Sequence, residues 1–130
     1  MKAARDGEDV RAEEAREIVV PFVQSPLFEE IRSCKLLSCE LPFSFVEPGG
    51  EVVSGLVDAL VKRPDGSLWV IDYKTDRVQP GQEEALLKEK YEGQLRAYQR
   101  AVEKLFPGKK VLAGGIFVRT FAAVDLEKLK

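Results

Sequence analysis

Not one histidine occurs in the chain. That absence removes the serine–histidine and cysteine–histidine hydrolases, histidine-ligated zinc, and imidazole acid–base catalysis. Carboxylates and lysines must carry whatever chemistry there is. Cysteine is almost as scarce: Cys34 and Cys39 are the only two, fewer than an iron–sulfur cluster needs. Their odd offset along an extended stretch puts them on opposite faces, so they are expected neither to pair nor to share a metal, and read as buried thiols. No apolar run is long enough to cross a bilayer. The segment Met1 to Arg16 is charged, without an apolar core and small-residue cleavage site, so it does not read as a signal peptide. The expected location is the cytoplasm, with no membrane partner. A basic excess is missing too: 20 Lys and Arg stand against 22 Asp and Glu, a net charge of −2. Phosphate contacts supply most of the affinity of a domain that binds nucleic acid unaided. Action on a nucleic acid would here depend on metal ions, a locally basic face, or a neighbouring domain that delivers the strand.

What is present suits one compact domain: 130 residues, 45% hydrophobic and 32% charged. Asp9 to Val23 has a helical pattern, and its apolar run Ile18 to Phe22 should dock onto something or, in an isolated fragment, leave an exposed patch. Ser25-Pro26 is a helix start, with Ser25 as N-cap and Pro26 in the first turn of a short helix through Ile31 and Arg32. Three strand candidates follow: Lys35 to Val46, Glu51 to Lys62 and Ser67 to Lys74. Glu47-Pro48-Gly49-Gly50 and Pro64-Asp65-Gly66 separate them as short turns, which predicts an antiparallel meander. In the third, alternation puts Leu68, Val70 and Asp72 on one face and Trp69, Ile71 and Tyr73 on the other. A long helix from Gln82 or Glu83 to Leu105 then carries Leu87, Tyr91, Gln94, Leu95, Tyr98, Val102 and Leu105 at three- and four-residue steps. Phe106-Pro107-Gly108 stops it, and Lys110 to Arg119 reads as a buried strand. A strand–helix–strand crossover after a meander gives an α/β (α+β) fold, a mixed sheet covered by helices. Residues 1–33 form N-terminal helices and 34–130 the core of one domain.

Four features could do chemistry. Asp58 is a carboxylate inside the apolar strand Gly55-Leu56-Val57-Asp58-Ala59-Leu60, where an unpaired charge is costly. Asp72 and Lys74, two apart, share a face at the end of theirs. Glu40 lies in the preceding strand, in Glu40-Leu41-Pro42. Gln94 and Tyr98 project from one face of the long helix. Magnesium and manganese are hard ions, commonly held by one or two carboxylates plus water and substrate phosphate, and Asp58 with Asp72 can supply that pair. Lys74 beside them can position an attacking water and offset developing negative charge. Gln94 and Tyr98 offer hydrogen bonds and stacking to a nucleotide. The bland alternatives are a surface ion pair for Asp72 and Lys74, core packing for Tyr91 and Tyr98, and surface charge for Glu40. Asp76 and Arg77 read as solvated loop charges.

Gly55-x-x-Asp58, then Asp72-Tyr73-Lys74-Thr75, then Tyr91-x-x-Gln94-Leu95-x-x-Tyr98 together resemble the RecB-like branch of the PD-(D/E)XK nucleases. The nearest likeness is to the C-terminal nuclease domain of AddA-type helicase-nucleases, where Glu40-Leu41-Pro42-Phe43 also resembles a recurring acidic motif. The resemblance covers about Phe28 to Val118. It implies a restriction-endonuclease-like sheet and Mg²⁺- or Mn²⁺-dependent hydrolysis of DNA, as the exonuclease module of a double-strand-break repair and recombination enzyme. The implied partners are single-stranded DNA ends, the helicase portion of the same parent chain, and a second helicase-nuclease subunit. It assigns metal ligation to Asp58, Asp72 and the Tyr73 carbonyl, the catalytic lysine to Lys74, the Gln-x-x-x-Tyr element to Gln94 and Tyr98, and a supporting acid to Glu40. One departure stands out: such nucleases bring a histidine ligand from an upstream helix, and here there is none. Either the chain is a fragment beginning after that helix, the preferred reading, or its site lacks one ligand. The competing functions are a catalytically silent nuclease fold that binds DNA or scaffolds, and a stand-alone nuclease of the kind found with CRISPR systems, whose cysteine cluster is missing.

Overall fold

A computed structural model describes the backbone of residues 2–129 and the side chains of residues 12–129. Helices α1 (Lys2–Val23) and α2 (Pro26–Arg32) lead into strands β1 (Lys35–Val46), β2 (Val52–Lys62) and β3 (Leu68–Lys74). The crossover consists of α3 (Glu83–Leu86), a π-helical turn (Leu87–Tyr91) and α4 (Glu92–Leu105). It returns the chain to β4 (Val111–Phe117), and β5 (Ala122–Asp125) with a 3₁₀ turn (Leu126–Lys128) follows. The five strands lie side by side in chain order, with β3 and β4 parallel and every other pair antiparallel. This is the expected meander and crossover, a mixed sheet flanked by helices.

Local chemistry accounts for the boundaries. Ser25 Oγ accepts the Phe28 amide at 3.2 Å, and Pro26 occupies the first turn of α2. The β2–β3 turn closes with Gly66 N donating to Arg63 O, and Asp65 Oδ1 takes both the amide and the hydroxyl of Ser67. Fewer such cues mark β5. It is four residues long, with no apolar alternation, and its turn is made by Phe121 at φ 57° in place of a glycine. The sequence pattern predicts no strand there.

β3 is buried on both sides, as its alternation predicts. Leu68 and Val70 join Val57, Leu60, Leu87, Leu95 and Val102 beneath α4, while Trp69 and Ile71 join Phe22, Ile31 and Ala59 beneath α1 and α2. The docking of α1 is partial: Phe22 packs edge-on against Phe28 and Tyr73, but Val19 and Val20 of the same apolar run, and Val23 just after it, are exposed.

Three expectations need correction. Cys34 and Cys39 are not buried thiols; one is half-exposed and the other exposed. Nor does their odd offset separate them: Cys34 precedes β1, the β1–β2 register slips between Leu36 and Ser38, and both cysteines border one hollow with Leu36, Asp58 and Tyr73. The long helix is not continuous in pitch, since the π turn interrupts it, and Leu105 at its end is exposed.

Candidate active site

The antiparallel ladder between β2 and β3 ends at Ala59 opposite Ile71, one step before Asp58 would meet Asp72. There the strands part, and Asp58 Oδ2 accepts the Tyr73 amide at 2.9 Å in place of a backbone carbonyl. On its other side β3 stays paired with β4 as far as Lys74 opposite Phe117. One edge of the β3 terminus is thus rigid and the other open, which is what brings the side chains of two neighbouring strands to one point.

Asp72 and Lys74 are 5% and 9% exposed, so the pair is not the surface ion pair of the bland reading. Lys74 Nζ lies 2.6 Å from Asp72 Oδ2, donates to Gln94 Oε1 at 3.2 Å, and sits 3.6 Å from the centroid of the Tyr91 ring. Despite the close ion pair, Asp72 Oδ2 is fully buried and has no well-directed hydrogen bond. Burial, and then the hydrogen bond shared with Asp58, push the Asp72 carboxyl up to about 6 from its ordinary 3.8, against the opposing pull of Lys74. At neutral pH the Asp72 carboxyl is therefore mostly ionised, and its buried charge lies against Lys74 and beside Asp58.

Small residues make room for this. Gly115 is the register partner of Asp72, and a Cβ there would come within 2.6 Å of Leu87 Cδ1, the fully buried residue that opens the π turn. A Cβ at Gly55 would meet the Phe43 ring at 3.0 Å and the Tyr98 ring at 3.1 Å. The glycine of the Gly55-x-x-Asp58 motif therefore serves the close approach of α4 to the sheet.

The structure gathers the remaining candidates unequally. Gln94 is on the exposed flank of α4 yet reaches Lys74. Tyr98 is buried, packing edge-on against Phe43, and burial followed by the nearby charges of Asp72 and Asp58 raises its hydroxyl above the ordinary value. Its ring faces are thus in the core, while its hydroxyl senses the carboxylates. Glu40 is exposed, with φ 50°, and lies across from Asp58 between the Cys39–Ala59 and Leu41–Val57 pairs. The Tyr73 side chain turns to the opposite face of the sheet, toward Phe22.

Asp76 is not a solvated loop charge. Both its carboxylate oxygens accept the Tyr91 hydroxyl, at 3.0 and 2.8 Å, and Oδ2 also takes Lys90 Nζ at 3.2 Å. Burial alone would raise this carboxyl, but the bonds from Tyr91 and Lys90 hold it below the ordinary value. Arg77 is exposed as expected, with an ion pair to Glu14. No local pattern marks Asp76 and Tyr91 as partners; they are 15 residues apart.

Among the described residues no cluster of three or more Cys, Asp or Glu is placed to hold a metal. Among the described residues the carboxylates that meet at this strand end are Asp58 and Asp72, and two hard oxygens would suit Mg²⁺ or Mn²⁺ completed by water and phosphate better than a closed zinc cage.

A profile of the PD-(D/E)XK nuclease superfamily matches residues 3–125. The chain is also 32% identical to an ATP-dependent helicase/nuclease subunit of Heliobacterium modesticaldum over 109 residues, which is 72% of this chain and 8% of that protein. It is 33% identical to the protein of the same name from Thermoanaerobacter sp. (strain X514), over 85% of this chain and 10% of that one. With the Desulforudis audaxviator protein of that name, identity is 46% over 49% of this chain and 6% of the relative. The chain thus spans a tenth or less of the length of these relatives.

Proposed function

The chain belongs to the PD-(D/E)XK nuclease superfamily, and from that premise we propose that it is a metal-dependent DNA nuclease module that hydrolyses phosphodiester bonds. In this reading it is the single nuclease domain of a cytoplasmic helicase-nuclease and acts as an exonuclease on single-stranded ends in double-strand-break repair and recombination. The helicase portion of the parent chain and a second helicase-nuclease subunit feed the strand to it. The net charge of −2 favours such delivery, because the domain has no general basic excess of its own.

One observation carries the reading. Two carboxylates from adjacent strands converge where the strands part, one of them nine-tenths buried and still lacking a well-directed hydrogen bond at Oδ2, with a buried lysine against it. Burying this much charge is costly unless something uses it. Asp58 and Asp72 would hold Mg²⁺ or Mn²⁺, with the Tyr73 carbonyl as a third oxygen. Such an ion supplies Lewis acidity to a phosphoryl oxygen and to water.

The protein's own part is positional. Lys74 directs the attacking water and offers its charge to the oxygens that become more negative as the phosphodiester opens. Gln94 holds Lys74 and, from its exposed flank, donates to the incoming nucleotide. Tyr98 holds Phe43 and Gly55 in place and turns its hydroxyl toward the carboxylates. Glu40 is a supporting acid at the open edge of β1. This chain itself offers the ion only oxygen ligands, since it contains no histidine.

The test is Mn²⁺-dependent degradation of end-labelled single-stranded DNA, with Asp72→Ala and Lys74→Ala run in parallel. We expect Lys74→Ala to lose on the order of a hundredfold or more in rate while keeping Mn²⁺ affinity, and Asp72→Ala to lose both. Retained cleavage in Lys74→Ala would overturn the assigned chemistry. Absence of Mn²⁺ binding in the unaltered protein would leave a silent nuclease fold that binds DNA or scaffolds.

A further inference from the structure

The geometry points to Tyr91, aimed by Asp76, as the positioning residue for the Lys74 ammonium. The inference deepens the nuclease reading and rests on it for the catalytic role of Lys74. Lysine is a point charge on a flexible stem, and left alone its ammonium samples many positions. Here it has three neighbours: the Asp72 carboxylate at 2.6 Å, the Gln94 amide oxygen at 3.2 Å, and the face of Tyr91 with its centroid at 3.6 Å. The first is a proposed metal ligand, so its charge is shared once an ion is held. The second is on an exposed side chain that also faces incoming substrate. Only the ring keeps the same attraction for the ammonium whatever the other two are doing.

The ring is itself held. Its hydroxyl donates to Asp76, which follows Lys74 by two residues on the same chain segment. Lysine, ring, hydroxyl and carboxylate therefore form a closed circuit, anchored at one end on the last residue of β3 and at the other on the loop two residues beyond it. Lys90 ion-pairs with Asp76 at 3.2 Å and lies 5.1 Å from the ring centroid, so Asp76 is neutralised without drawing Lys74 away from Asp72. The backbone makes the same investment. Tyr91 ends the π turn, and its φ of −123° and ψ of −6° depart from the helix on either side. A regular helix from Glu83 onward would carry this ring to a different azimuth, and π turns recur where a side chain must be re-aimed. A tyrosine that merely filled the core would need neither the hydroxyl anchor nor the π turn.

The experiment compares Tyr91→Phe, Tyr91→Leu and Asp76→Asn in the full chain, with two readouts. One is kcat and KM for Mn²⁺-dependent cleavage of single-stranded DNA. The other is the ε-methylene proton shift of Lys74 in the metal-free protein, assigned by its disappearance in Lys74→Arg. In the unaltered protein the ring current should place these protons upfield of the exposed lysines. Tyr91→Leu should return them to the ordinary position and lower kcat about tenfold with KM nearly constant. Tyr91→Phe, which keeps the ring, should retain most of the shift and lose only a few-fold in kcat, with Asp76→Asn between the two. Equal loss in Phe and Leu, or unchanged kcat and shift in a folded Leu variant, would overturn the inference. If Tyr91→Leu does not fold, Asp76→Asn decides, since unchanged shift and kcat there would refute the aiming role. If the unaltered protein does not cleave, Mn²⁺ binding decides the nuclease reading, and the shift by itself decides whether Tyr91 holds the ammonium.

Discussion

β3 carries a polar cluster at each end, and the two are built to opposite rules. At its start, Trp69 Nε1 donates to Asp125 Oδ1 at 3.1 Å, while Arg63 lies 3.8 Å from Asp125 Oδ2 and 4.2 Å above the indole ring. Each charge and each donor there has a counterpart. At its finish, Asp72 is more deeply buried, shares its surroundings with Asp58, and keeps an oxygen with no well-directed hydrogen bond. A cluster that serves the fold satisfies its own polar groups, because an unpaired one costs about 1–3 kcal/mol. A cluster that packs two carboxylates against one lysine, on the same strand of the same small domain, is not balanced by its own charges.

That contrast can be broken from either end. The largest effect on stability should come from Asp125→Ala, which strands both the Trp69 N–H and Arg63. We expect a loss of about 2–3 kcal/mol in chemical denaturation, with Mn²⁺ affinity unchanged. Next is Asp72→Asn, for which the sign reverses. The folded Asp72 carboxyl is raised to about 6 from 3.8, so its contribution to stability is fully present below about pH 3.8 and lost as pH rises through about 6. At pH 7 the metal-free wild type carries the full cost of the buried charge. Asp72→Asn should therefore be more stable by ~1–3 kcal/mol at pH 7, and the gain should fade below about pH 4. Denaturation of both proteins across that range checks it; a destabilised Asn variant at pH 7 would remove the difference between the two ends. The smallest effect belongs to Arg63→Gln, a partly exposed pair at 3.8 Å. It should cost no more than about 1 kcal/mol in the same measurement.

The sequence was legible wherever a short-range rule applied. The Ser25 cap, the two turns, the two faces of β3 and the crossover followed from positions a few residues apart, and all are present. The motif residues Asp58, Asp72, Lys74 and Gln94 were legible by type and spacing, and the structure brings them together. The misses share a cause. The faces of Cys34 and Cys39 were inferred from parity, which fails because the strand begins only at Lys35 and slips its register at Leu36 and Ser38, a property of the β1–β2 pair. The Asp76–Tyr91 bond joins residues 15 apart, and Leu87, which opens the π turn, packs closely over Gly115 of β4, so no window of local sequence contains these contacts.

The sequence by itself therefore determined the order of the elements and the residue types, two carboxylates and a lysine, that the strand end brings together. Alternation and helical spacing are set by backbone geometry, which acts over a few residues. Only the tertiary structure decided that β2 and β3 part at Asp58, that Asp72 and Lys74 are buried there, and that a tyrosine beyond the loop faces the ammonium. Burial and charge neutralisation depend on what packs from other parts of the chain, and that is fixed only when the sheet and its covering helix meet.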